Sequence, residues 1–169
     1  MRVVHDFYTE AMVDIAIESP RQADILALLG DGDAAALALY PAENYYGLDV
    51  DALEKPDTVL LVARVDSVAL GTAALVDNRD GTAELKRMFV SPDARGLGIA
   101  SALLTAVESR ATALGISTLR LETGVPQAAA IALYEKHGYA HIPQFGQYVG
   151  DPTSVCMEKM LTPASRGSA

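Results

Sequence analysis

Arg95-Gly96-Leu97-Gly98-Ile99-Ala100 is the stretch on which the reading of this chain turns. It follows an apolar run ending in Phe89-Val90-Ser91-Pro92 and opens a helical pattern that continues from Ser101 to Leu114. A strand, a glycine turn and a helix in that order form an anion site. The first turn of a helix leaves backbone N–H donors without intrahelical partners and carries the positive end of the macrodipole. Glycines at 96 and 98 let a diphosphate approach the backbone, and Arg95 adds a fixed positive charge. A glycine turn alone also serves as an ordinary turn, so the surrounding pattern has to decide.

Working outward, Thr82 to Val90 reads as a strand that follows the turn Asp77-Asn78-Arg79-Asp80-Gly81. Before it, Val59 to Val65 and Val68 to Val76 are two strands joined by a tight hairpin at Asp66-Ser67. After the glycine turn, Ile99, Leu103, Leu104, Val107 and Leu114 recur at helical spacing, and Gly115 ends the helix. Ile116 to Thr123 is a strand, Pro126 to His137 a helix closed by Gly138, Tyr139 to Ile142 a short strand and Thr153 to Met160 a last strand. Towards the N-terminus, Ala11 to Ile17 alternates like a strand. Ser19-Pro20-Arg21-Gln22 reads as a capping box that starts a helix ending at Gly30. Asp33 to Tyr40 reads as a second helix stopped before Pro41, and Val50 to Leu53 as a short helical turn. The residues beyond Leu161 are expected to be a disordered tail, leaving one domain over residues 1–161.

The composition narrows the function. A chain of 169 residues is sized for one domain. A formal charge of −9 argues against a general nucleic-acid binder and favours cationic partners. No apolar run reaches the length of a membrane span, and Met1 to Asp6 has no signal-peptide character, so a cytoplasmic protein with no membrane partner is expected. A single cysteine, Cys156, excludes an intramolecular disulfide and reads as a buried hydrophobe, and no metal site is expected. Lys86, Arg87 and Arg95 stand near the glycine turn as a local source of positive charge. The aspartates around residues 31–33 and 77–80 miss the spacing of a calcium loop and read as solvated turns.

Three segments then fall in one order: Ala83-Glu84-Leu85-Lys86-Arg87-Met88-Phe89-Val90, the glycine turn, and Ala128-Ala129-Ala130-Ile131-Ala132-Leu133-Tyr134-Glu135-Lys136-His137-Gly138-Tyr139. In this combination the sequence resembles the GCN5-related N-acetyltransferases, the GNAT superfamily, over about Val59 to Met160. The resemblance implies the α/β acyl-CoA N-acyltransferase fold, a mostly antiparallel mixed sheet with helices on both faces. It implies that the sheet is split between the strands ending at Val90 and near Thr123, with acetyl-CoA in the gap. Backbone groups of Met88, Phe89 and Val90 would pair with the pantetheine arm. The amides of Arg95, Gly96, Leu97, Gly98, Ile99, Ala100 and Ser101 would hold the pyrophosphate, with Arg95, Gly98 and Ala100 at the signature positions. Gln127 stands where many relatives have an asparagine that meets the cofactor.

By the same resemblance Tyr134 matches a tyrosine near the cofactor sulfur, a general acid for the departing thiolate, and Glu84 matches a position used by some members as general base. A backbone N–H near Met88 would serve the oxyanion. The reaction needs an amine to lose a proton, an oxyanion to be stabilised and a thiolate to leave. Asn44, Tyr45, Tyr46, Phe145 and Tyr148 are candidates for the acceptor wall. The expected acceptor is a primary amine on a small cationic molecule. A protein or peptide amine, and a CoA-sensing domain without turnover, are the alternatives. A monomer or homodimer is expected. His137 reads as a stabiliser of a helix C-terminus, and His5 and His141 as surface or packing residues.

Overall fold

The computed structural model describes residues 12–163. His5, the start of the first predicted strand at Ala11, and most of the predicted tail lie outside them. In chain order the elements are β1 (Val13–Ile17), α1 (Ala23–Leu39), a 3-10 turn (Ala42–Asn44), α2 (Val50–Leu53), β2 (Thr58–Val65), β3 (Val68–Asp77) and β4 (Thr82–Val90). Then follow α3 (Ile99–Ala113), β5 (Thr118–Gly124), α4 (Ala128–Lys136), β6 (Ala140–Ile142) and β7 (Ser154–Met160). The strands form one seven-stranded sheet in the order β1-β2-β3-β4-β5-β7-β6. Every neighbouring pair is antiparallel except β4 and β5, which run parallel.

Alternation along the strands assigns the two faces. One face of the sheet carries Leu61, Ala63, Ala73, Leu75, Leu85, Leu119, Leu121 and Met157, buried under the α3 stripe of Ile99, Leu103, Leu104, Val107 and Ala111. Tyr134 of α4 joins that core. On the other face, Ile25 and Leu29 of α1 and Leu53 of α2 cover Leu60, Val62 and Ala74. The expected α3 stripe is thus correct except at its end. Leu114 caps the helix and is exposed, while Ala111 takes the buried position.

The expected hairpin at Asp66-Ser67 forms with both residues at positive φ, 48° and 69°, the type I′ geometry whose twist suits flanking strands. The start of α1 differs from expectation. Ser19 caps nothing in the helix; its Oγ accepts only the Arg21 amide, and the helix begins after Gln22, whose side chain makes no cap bond. Nor does the helix stop at Gly30. It runs unbroken to Leu39, merging the two predicted helices, because its middle is anchored to the sheet. Arg87 of β4 donates to the Leu29 carbonyl at 3.2 Å and pairs with Asp33.

Two features of β4 place the site. Its pairing with β5 covers only Thr82↔Thr118 to Leu85↔Leu121, after which the strands part. Its pairing with β3 shifts register, since Thr72 faces Phe89 while Ala74 faces Lys86, so β4 carries one extra residue. Arg87 sits in this bulge at φ 54°, and the Thr72 hydroxyl donates to its carbonyl at 2.8 Å.

Candidate active site

The fork between β4 and β5 leaves the Lys86–Val90 edge of β4 without a strand partner on that side among the described residues. Beyond it, a 3-10 turn at Pro92–Ala94 leads into the glycine loop. Gly96 and Gly98 adopt φ 84° and 74°, and Gly98 is the N-cap of α3 with no side-chain cap bond. A side chain in that left-handed region would be strained, and glycine is free to adopt it. The first intrahelical acceptor is the Gly98 carbonyl, bonded by the Ala102 amide at 3.0 Å, so the amides of Ile99, Ala100 and Ser101 have no partner within the helix. Arg95, Gly96, Leu97 and Gly98 are exposed around these donors. An open strand edge leading to a ring of unbonded amides fits a cofactor with an amide-bearing arm and a diphosphate.

The expected concentration of cations at that turn is not what the structure shows. Arg95 stays beside the loop, but Lys86 and Arg87 are engaged elsewhere. Lys86 Nζ donates to the Tyr148 hydroxyl at 2.7 Å and lies 3.7 Å from Glu84. Arg87 donates to Tyr45 at 2.6 Å and pairs with Asp33. The reason is the strand period: Lys86 shares the face of Glu84, while the bulge turns Arg87 towards α1.

The face of the fork away from α3 is polar. The register places Glu84 beside Arg120, and Arg120, Glu122 and Gly124 follow one another at period 2 on β5. Glu84 accepts from the Tyr148 hydroxyl, and Tyr148 stands edge-on to Tyr46 at 4.9 Å and to Phe145 at 5.3 Å between ring centroids. Tyr46 donates to Asp151 at 2.8 Å, and hydrogen bonds from Asn44, Thr153 and Tyr46 hold Asp151 well below the ordinary carboxylate value. Tyr148 thus joins Glu84 to Tyr46 and Phe145, while Asn44 meets Tyr46 at Asp151. Tyr45 is not in this group. Its hydroxyl is committed to Asp33 and Arg87, and burial followed by the Asp33 bond pushes it up to about 12.

Sequence reasoning passed over Glu122. It is the first β5 residue beyond the last β4 pair, so its carboxylate stands where the strands diverge. Its one hydrogen bond among the described residues is from the Ser154 hydroxyl at 2.9 Å, and burial pushes it up to about 7. The signal available was the alternation Leu119-Arg120-Leu121-Glu122, which sets Glu122 on the polar face of a strand otherwise built for the core.

Tyr134 lies on the α3 side of the fork, only 5% exposed, with its ring edge-on to Tyr139 at 5.8 Å. Its hydroxyl makes no hydrogen bond among the described residues, and burial, aided by the Glu122 charge, raises its pKa. Gln127 is the N-cap of α4, and its Nε2 donates to the Tyr40 hydroxyl at 2.8 Å. His137 caps the C-terminal end of α4 and meets Ser101 at 3.1 Å, linking that end to the first turn of α3. Exposed His141 pairs with Glu135 at 2.8 Å, and Cys156 is buried, its thiol pushed up by burial. Among the described residues no group of three or more His, Cys, Asp or Glu could hold a metal ion, and no helix is long and apolar enough to cross a membrane.

A mixed sheet forked at one parallel pair, with a glycine-turned helix at the mouth of the fork, defines an acyl-CoA N-acyltransferase fold. The chain belongs to the acetyltransferase (GNAT) family, whose model matches residues 13–139. It is 47% identical over 150 residues to an IAA acetyltransferase of Azospirillum brasilense, covering 88% of this chain and 98% of that one. A candidate acyl-CoA N-acyltransferase from Klebsiella pneumoniae superposes with a TM-score of 0.76 at 36% identity, over 90% of this chain and 99% of that one. The PaiA N-acetyltransferase of Thermoplasma acidophilum, solved with coenzyme A, shares the fold at a TM-score of 0.69 and 18% identity, over 88% and 99% of the two chains. The chain is thus an N-acetyltransferase of a family that draws its acetyl group from acetyl-CoA.

Proposed function

We propose that this chain acetylates a primary amine of a small cationic molecule by direct attack within a ternary complex. The observation that carries the reading is the fork itself, with the Glu122 carboxylate on one side and the unbonded Tyr134 hydroxyl on the other. Acetyl-CoA supplies the activated acetyl thioester. The Met88–Val90 edge binds its extended arm, with a backbone N–H near Met88 available to the oxyanion, and the amides from Gly96 to Ser101 bind its pyrophosphate, the Arg95 amide being bonded to the Pro92 carbonyl at 3.4 Å. Glu122, with its carboxyl near neutrality, takes the proton of the attacking amine. Glu84, clamped by Tyr148 and Lys86, orients that amine. Tyr134 keeps its proton at all ordinary pH values and gives it to the departing sulfur. Asn44, Tyr46, Phe145 and Tyr148 wall the acceptor.

The acidic, aromatic character of that wall supports a cationic acceptor. The 47% identical relative supports including IAA among the molecules tested. The deciding experiment presents purified protein and acetyl-CoA with IAA, a panel of small amines and peptide amines. Transfer to small cationic amines supports the reading, and transfer confined to peptides or to IAA replaces it. Binding of acetyl-CoA without transfer to any acceptor would mean a sensing domain. Tyr134→Phe is expected to lower kcat by about 10²-fold or more while acetyl-CoA affinity stays the same. An unchanged kcat removes Tyr134 from the proton path.

A further inference from the structure

We infer that Tyr40 is the specificity-determining residue of the acceptor site, forming with Gly124 and Gln127 a wall that admits compact primary ammonium ions. This rests on reading the site as that of an amine acetyltransferase. Tyr40 is the last residue before Pro41 and caps α1, its amide bonded to the Ala36 carbonyl at 3.0 Å. Its side chain crosses to the far end of β5. There the register sets Gly124 on the same face as Glu122, opposite Ser154, and the missing side chain makes room for the phenol. A methyl built on Gly124 would overlap both the Tyr40 ring and its hydroxyl.

Gln127 fixes the ring from the other side, through the 2.8 Å hydrogen bond from its Nε2 to the Tyr40 hydroxyl. The ring is therefore held between the β5 backbone and the N-cap of α4. The ring lies over Gly124, two residues along β5 from Glu122 and on the same face, and burial together with the charges of Glu122 and Asp151 raises the Tyr40 pKa. Tyr46, bonded to Asp151, packs edge-on against Tyr148, which is buried and bonded to Glu84. A ring on this face already stands near a cation: the Arg120 guanidinium lies 5.8 Å from the Phe145 centroid. A small ammonium ion resting on Tyr40, with its charge towards Glu122, satisfies both the rings and the carboxylates. A long or branched acceptor must displace the phenol and break its bond to Gln127.

The test compares wild type, Tyr40→Phe, Tyr40→Ala and Gly124→Ala with the best small amine found, measuring KM for amine and for acetyl-CoA separately. Tyr40→Ala is expected to raise the amine KM about tenfold, with kcat and acetyl-CoA KM within about twofold of wild type. Tyr40→Phe keeps the ring and restores the amine KM to within about threefold. Gly124→Ala expels the ring and should reproduce the Tyr40→Ala pattern. Thermal melting with acetyl-CoA verifies that each variant is folded. An amine KM unchanged in folded Tyr40→Ala or Gly124→Ala overturns the inference while leaving the acetyltransferase reading intact. A rise confined to the acetyl-CoA KM assigns Tyr40 to the cofactor and also overturns it. Absence of transfer to any amine by wild type defeats the reading on which the inference rests, and the inference with it.

Discussion

Glu122 carries a consequence for stability as well as for catalysis. A carboxyl whose value rises from 4.5 to about 7 on folding binds its proton more tightly in the native state. Between those values the native state holds more protons than the unfolded one, so stability falls as pH rises through the interval and levels off above it. The ionised group costs on the order of 3 kcal/mol by that shift. Glu122→Gln should therefore be more stable than wild type at pH 8, with the advantage shrinking towards pH 5, in denaturant titrations at both pH values. The same substitution should lower kcat by about 10²-fold or more and remove an acid limb near pH 7 from the rate profile. A variant that keeps that limb assigns it to another group.

At the scale of elements, the seating of α3 on the sheet sets the glycine loop at the mouth of the fork. Gly71 of β3 allows this approach, because a Cβ there would come within 2.9 Å of Ile99 Cγ2 and Leu103 Cδ1. Gly71→Ala should push α3 away and cost about 1–3 kcal/mol in chemical denaturation, with a weaker grip on acetyl-CoA read as a raised KM. The strands, α3 and α4 were legible in the sequence because each has one apolar face and a clear turn at its ends. Helix α1 was not, because Gly30 reads as a stop and Asp31-Gly32-Asp33 as a solvated turn, whereas all four residues lie inside the helix. Position 32 is a packing site, where a Cβ would crowd the Phe89 ring at 3.2 Å, and Arg87 and Asp33 bind the helix to β4. Tertiary anchoring outweighed the local helix penalty of glycine, about 1 kcal/mol each. The candidate site was legible only where a motif marked it, at the glycine turn and at the Tyr134 helix, both of which form where expected. Gln127 was noted for a cofactor contact, but its bond to Tyr40 joins residues 87 positions apart and left no local signal.

For the whole molecule, a net charge of −9 and the carboxylates of the proposed acceptor site should, on the proposed reading, draw a cationic amine from solution. The kcat/KM for such an amine should fall about threefold or more between 20 and 300 mM salt, against little change for a neutral acceptor. Equal salt dependence for both would mean that charge plays no part in encounter. The parting of β4 from β5 after Leu85 has one more consequence. It creates an unpaired strand edge in the interior of a sheet, the kind of edge that invites other chains to add on and aggregate. Strands in a sheet lie about 4.8 Å apart, so a chain that pairs with this edge of β4 adds to it as one further extended strand. The Arg87 bulge interrupts the pleat of that edge and spoils it further as a template. On the proposed reading, the extended arm of the cofactor occupies this edge and shields it from such additions.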